Sequence, residues 1–221
     1  VLVVVWILWI LYAEGRWVLI RPERGMKIFA SQRLLPFPVF HSALKCQCNR
    51  EKHTVFVVHT AIANKEKREG IRQTWILFQN QLVYAFCLFF FTGRPVNQIE
   101  EQSLIDESTT FKDIVIGDFV DSYFNMTIKS LFWMRFVDAQ CSSTTTIIKL
   151  DDDMAINLRL LSHRLSSIKS NAIYGVRWIG MPVERENTSR WYVPYSLYPF
   201  ESFQPYVSGS AYMLKTRDRA N

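Results

Sequence analysis

From Thr54 onward, short apolar runs alternate with amphipathic stretches. Thr54–Thr60 (TVFVVHT) is β-branched and aromatic, which predicts a strand. Lys65–Trp75 is charged, with Ile71 and Trp75 four apart on one face, which predicts a helix. Leu82–Phe91 is almost continuously apolar and is broken by Thr92-Gly93-Arg94-Pro95, the pattern of a strand buried on both faces. Beyond it the pattern predicts a helix over Gln98–Ser108, a short strand at Ile114–Ile116 and a long, largely buried helix over Ser122–Gln140. A strand at Thr145–Leu150, a helix at Leu158–Ser167, an extended segment at Ala172–Val176 and a strand at Gly209–Lys215 complete the series. Strand–helix alternation of this kind implies an α/β domain with a largely parallel sheet.

The opening run, Val1–Ala13, carries no charge before Glu14. It is shorter than the roughly 20 residues that span a bilayer. We read residues 1–20 as the inner part of an incomplete signal-anchor, residues 21–53 as a stem carrying Pro22, Pro36 and Pro38, and residues 54–221 as the folded domain. A cleaved signal peptide and a buried core segment are the alternatives; no small-x-small cleavage site follows the run, which favours the anchor. Trp6, Trp9 and Trp17 suit an interface with lipid headgroups.

Composition narrows the class. With 49% hydrophobic and 21% charged residues, the chain can bury a core and is not disordered. The net charge of +6 raises the question of nucleic acid, but its distribution answers it. Glu14–His53 holds eight basic and three acidic residues, and the remainder is nearly neutral. A nucleic-acid binder concentrates its charge on the folded domain. No nucleic-acid partner is expected. The four cysteines, Cys46, Cys48, Cys87 and Cys141, lack zinc spacing, and in an oxidising compartment they would form disulfides. Asn125-Met-Thr and Asn187-Thr-Ser are glycosylation sequons that fit the same compartment.

Three clusters carry candidate chemistry. Asp151, Asp152 and Asp153 follow a buried strand, where ligands bind in open α/β sheets. Alternate carboxylates on extended chain point the same way and can share a hard divalent cation with phosphate oxygens. The competing reading is an acidic loop that caps the next helix. Arg68 and Arg72, one helical turn apart, can present two guanidinium forks to a phosphate or a carboxylate; a solvated face with Glu–Arg pairing is the alternative. Trp191-Tyr192-Val193-Pro194-Tyr195 and Gln204-Pro205-Tyr206-Val207-Ser208-Gly209 suit stacking on sugar rings and equally suit a packed hairpin. His41, His53, His59 and His163 form no metal-like constellation, and His59 reads as a core or sheet-edge residue.

Taken in order, VVHTAIANKEKREGIRQTW, FVDSYFNMTIKSLFWMRF, IIKLDDDMAIN and RWYVPYSLYP followed by PYVSGSAYML resemble the β-1,3-galactosyltransferase and β-1,3-N-acetylglucosaminyltransferase family of Golgi enzymes, glycosyltransferase family 31. The resemblance covers about residues 54 to 214. It implies a GT-A type nucleotide-sugar-binding fold with a central, mostly parallel sheet behind a membrane anchor and stem. The implied activity is inverting, manganese-assisted transfer of galactose or N-acetylglucosamine from a UDP-sugar to a glycan acceptor on protein or lipid, in β-1,3 linkage. The implied address is the Golgi membrane, single-pass type II, with the domain lumenal. Asp151 and Asp153 match the metal ligands, with Asp153 the direct one. Arg68, Arg72, Trp75 and Asp151 to Asp153 match the donor site. Trp191, Tyr192, Tyr206, Ser208 and Gly209 match the segment lining the sugar site.

Three departures stand out. Ala155 replaces the aromatic usual after the triplet. Val207 replaces a cysteine common before Ser-Gly, so one family disulfide is expected to be absent. The family's downstream Glu-Asp-Val segment, whose carboxylate resembles the catalytic base, is not met before Asn221, so the base is expected beyond it. A non-catalytic UDP- or glycan-binding relative, and a structural lumenal domain, are the rival readings.

Overall fold

The computed structural model describes residues 38–48, 54–79, 86–141, 146–169 and 172–215. Residues 1–20, the expected signal-anchor, and most of the expected stem lie outside the described residues. Among the described residues, no helix is long and apolar enough to cross a membrane.

The strands are β1 (Val39–Ser42), β2 (Thr54–His59), β3 (Phe86–Arg94), β4 (Ile114–Val120), β5 (Thr146–Asp151), β6 (Ile173–Trp178) and β7 (Tyr206–Lys215). The helices are α1 (Lys65–Gln79), α2 (Gln98–Phe111), α3 (Met126–Gln140) and α4 (Leu158–Arg164), with 3-10 turns at Tyr123–Asn125 and Leu165–Ser167. One sheet holds all seven strands in the order β1-β4-β3-β2-β5-β7-β6. β2 to β5 are mutually parallel, while β1 and β7 run antiparallel to their neighbours.

Period-two alternation sorts the core into two layers. Val55, Val57, Phe89, Phe91 and Ile147 face α3, where Phe132, Trp133, Phe136 and Val137 pack against them. Phe56, Val58, Phe90, Ile114 and Ile148 face the other way, onto Ile71 and Trp75 of α1, Leu104 of α2 and Leu158 of α4. The central strands are therefore buried on both faces, which is why they read as unbroken apolar runs. Edge-on aromatic pairs fill both layers, such as Phe91 with Phe132 at 5.9 Å and Phe56 with Trp75 at 4.8 Å.

Two elements differ from the pattern. β3 continues through Thr92-Gly93-Arg94, because parallel pairing with β4 extends to Arg94 opposite Val120. Gly93 is required there: an added Cβ would lie 2.5 Å from the Phe119 carbonyl oxygen. The folded domain also starts before residue 54. β1, placed in the stem from sequence, pairs with β4, and Cys46–Cys87 and Cys48–Cys141 bond this segment to β3 and to the end of α3. All four cysteines are thus in disulfides.

Candidate active site

The chain runs outward from β2 to β3 to β4, then returns through α3 to place β5 on the other side of β2. The strand order reverses between β2 and β5, and the crevice at their carboxyl ends is where such sheets bind ligands. His59 of β2 stands beside Asp151 of β5 at this edge. The Asp triplet turns immediately after β5, with the Met154 N–H donating to the Asp151 carbonyl at 3.3 Å.

The three carboxylates have three different environments. Asp152 bridges the crevice: it accepts from Thr60 Oγ1 at 2.8 Å, Asn64 Nδ2 at 2.7 Å and Lys67 Nζ at 3.2 Å. That pins the loop after β2 to the end of β5. Asp151 accepts from the buried Lys149 Nζ, which also donates to the Gly209 carbonyl of β7 at 2.6 Å. Burial raises the Asp151 pKa, with Lys149 opposing and Asp153 and Asp152 adding to the rise. Burial likewise lowers that of Lys149, against the pull of Asp151. Asp153 is exposed and has no side-chain partner among the described residues. The helix-capping alternative fails, because the cap of α4 is Asn157, whose Oδ1 accepts from the Leu160 N–H at 2.9 Å.

Arg68 and Arg72 are 1% and 5% exposed, and their forks are occupied by carboxylates. Arg68 donates through Nε and Nη2 to both oxygens of Glu107 at 2.9 and 2.7 Å, and through Nη1 and Nη2 to the carbonyls of Ala61 and Ile62. Arg72 takes both oxygens of Asp113 at 2.9 and 2.8 Å and reaches Glu107 at 2.9 Å. Asp113 reaches this position because Lys112, at φ 57°, ends α2 in the left-handed conformation and turns the chain into β4. These arginines fasten α1 to α2 and hold the 60–64 loop. Trp75 lies in the core against Phe56.

The segment that resembles a sugar site divides in two. Ser208 and Gly209 lie near the start of β7, where the Gly209 carbonyl shares Lys149 with Asp151, and the Ser208 and Ser210 hydroxyls are 2.9 Å apart. Tyr206 is half-buried opposite Trp178, and burial raises its pKa. Trp191 and Tyr192 instead lie on the connection from β6 to β7 and are exposed. Trp191 Nε1 donates to the Tyr123 hydroxyl at 3.0 Å.

Sequence reasoning missed the residues that organise the edge. Lys129 of α3 pairs with Asp121 at 2.7 Å and donates to the Thr60 carbonyl at 2.8 Å, while Asp121 accepts from the Gly93 N–H at 3.2 Å. Lys149 and His59 are buried at the same edge. Burial first, then Lys149 and Lys129, holds the His59 pKa well below 6.5, so its imidazole is neutral. The available signal was a lysine at an inward position of an apolar strand or helix, which demands a partner.

Residues 66–220 match the family model described as Galactosyltransferase. Beta-1,3-galactosyltransferase 1 of Mus musculus and that of Homo sapiens are each 32% identical over 173 residues, covering 76% of this chain and 52% of the relative. Lactosylceramide 1,3-N-acetyl-beta-D-glucosaminyltransferase A of Xenopus laevis is 32% identical over 185 residues, covering 78% of this chain and 48% of its own. The chain spans about half the length of the curated relatives it matches. With the triplet at the switch point and the family model matched over most of its length, the chain belongs to the galactosyltransferase family.

Proposed function

We propose that this chain is the nucleotide-sugar-binding part of an inverting transferase that moves galactose or N-acetylglucosamine from a UDP-sugar to an acceptor hydroxyl in β-1,3 linkage. The observation that carries this reading is the open carboxylate of Asp153 at the β2–β5 switch point, beside two aspartates already engaged. The names of the relatives, a β-1,3-galactosyltransferase and a 1,3-N-acetyl-β-D-glucosaminyltransferase, support the choice of sugar and linkage.

The donors present fit a divalent cation, manganese by the family resemblance. Asp153 would hold it directly, aided by the second oxygen of Asp151. No group of three or more His, Cys, Asp or Glu forms a cage among the described residues, which suits an ion that takes most ligands from diphosphate and water. When bound, such an ion supplies Lewis-acid neutralisation of the leaving diphosphate. The chain's own residues position the parts. Asp152 holds the 60–64 loop against β5, and Lys149 ties Asp151 to the Gly209 carbonyl in β7. Arg68 and Arg72 keep α1 and that loop in place from behind.

In the same reading, residues 1–20 anchor the protein in the Golgi membrane with this domain lumenal. Two disulfides support an oxidising compartment. Asn187 lies exposed on a turn, open to glycosylation, whereas the Asn125 side chain donates to the Val120 carbonyl at 2.8 Å.

Calorimetric titration of UDP with and without manganese tests the proposal. We expect manganese to strengthen UDP binding, and Asp153→Asn to lower the manganese-dependent affinity by about tenfold or more while leaving metal-free binding alone. Unchanged manganese-dependent affinity in Asp153→Asn would overturn it.

A further inference from the structure

The crevice is spanned by an arch. Tyr123 follows β4, two strands to one side of β2, while Trp191 belongs to the connection between β6 and β7, on the far side of β5. The Trp191–Tyr123 hydrogen bond joins these flanks across the carboxyl edge of the sheet. Both rings are exposed, 48% for Trp191 and 42% for Tyr123. The arch is linked to the triplet, because Asp121, two residues before Tyr123, holds Lys129, which holds Thr60, whose hydroxyl holds Asp152.

A cation is mounted on this arch. The Arg190 guanidinium carbon lies 4.4 Å from the Trp191 ring centroid and 5.1 Å from that of Tyr123. Arg185, five positions earlier, also stacks on a ring, that of Tyr195 at 3.8 Å, but donates to the carbonyls of Val193, Tyr198 and Phe200. Arg190 has no such acceptors, and among the described residues no carboxylate pairs with it. Glu186, four residues away, accepts from Thr188 instead. Two rings therefore fix the plane of a guanidinium whose fork is open to a planar or tetrahedral anion.

We propose that Tyr123, Trp191 and Arg190 form an acceptor subsite for an acidic sugar, one bearing a carboxylate or a sulfate. The rings would take the apolar face of the pyranose, and the guanidinium would take the acid in a bidentate, charge-assisted pair. That a sugar comes to this edge rests on the transferase reading; the preference for an acidic one rests on Arg190.

The test uses the full chain with UDP and manganese, and follows three probes by saturation-transfer NMR: methyl β-D-galactopyranoside, its 6-sulfate and methyl β-D-glucuronide. We expect at least one acidic probe to bind about tenfold more tightly than the neutral one at low salt, with the preference shrinking as salt rises. Which acid gains identifies the group. Arg190→Gln should erase the preference and leave neutral binding within about twofold, and Trp191→Ala should weaken all three probes. Equal affinities in the unsubstituted chain, a preference that survives Arg190→Gln, or indifference to Trp191→Ala would each overturn the proposal. UDP titration of the same sample separates the two readings. Acid preference without UDP binding sinks the transferase and spares the subsite; UDP binding without acid preference sinks only the subsite.

Discussion

Among the described residues, two arginines stack on pairs of aromatic rings, and they do opposite things. Arg72 lies 4.0 Å from the Phe111 ring and 5.1 Å from Phe90, buried, with both oxygens of Asp113 on its fork. Arg190 lies over Trp191 and Tyr123 at similar distances, exposed, with its fork open. The stacking is the same; the carboxylate and the burial differ. Where the cation is desolvated, it must be neutralised by its own chain, and its pKa is raised by Asp113 and Glu107 although burial, the largest single influence, pulls it down. Where water remains, the chain can leave a charge for something else to complete. Residue type and spacing near a cleft therefore do not make an arginine a ligand-binding residue; the absence of a resident partner does.

The largest expected effect follows from that contrast. Arg72→Met leaves Asp113 and part of Glu107 buried and uncompensated, which should cost about 3–5 kcal/mol in urea unfolding at pH 7. Arg190→Met should stay within about 0.5 kcal/mol. Comparable losses for the two would break the comparison.

A smaller effect concerns His59, buried at the carboxyl edge of the sheet with no partner for either ring nitrogen among the described residues. Its folded pKa lies below the unfolded value of 6.5, chiefly through burial and then through Lys149 and Lys129. Its contribution is therefore complete above pH 6.5 and is lost as pH falls through that value toward the folded pKa. The loss should approach about 1.4 kcal/mol per pH unit. Glu107, whose pKa is lowered against burial by Arg68 and Arg72, adds its own loss only below about pH 4.5, while Asp151, whose pKa burial raises, regains stability on protonation and opposes the slope, so the difference between the unsubstituted and His59→Phe profiles isolates the histidine. His59→Phe should flatten the stability profile between pH 6.5 and 5; a substituted chain that keeps the full slope would place the proton elsewhere.

The same contrast explains what could be read from the sequence. β2, β3 and β5 were legible because burial on both faces writes an unbroken apolar run. β1 was not, because four residues, Val39–Ser42, find their partner in β4 some seventy positions later. The triplet's position at a strand end was legible, but the inequality of its members was not, since Thr60, Asn64 and Lys67 meet Asp152 only after parallel pairing of β2 with β5. The spacing of Arg68 and Arg72 correctly put both on one helix face. It could not choose between phosphate and carboxylate, because Glu107 and Asp113 arrive from α2 and the turn after it. Nothing in the sequence singles out Arg190, because the ring that completes its platform, Tyr123, is 67 positions away.

The smallest effect probes the arch itself. Tyr123→Phe removes the acceptor for Trp191 Nε1 and nothing from the core, because both side chains are exposed. Water can satisfy the freed indole N–H, so the global loss should be only about 0.5 kcal/mol. The local consequence is clearer, because this bond joins the β6–β7 connection to the segment after β4. Amide exchange through residues 187–192 should quicken by about twofold while the strands of the central sheet are unchanged. Arg190 loses none of its own hydrogen bonds in this variant, but one of its two rings is no longer tethered, so acidic-probe binding should weaken while some preference over the neutral probe remains. A global loss as large as that of Arg72→Met would mean that the arch belongs to the core, and the distinction between the two stacked arginines would fail there.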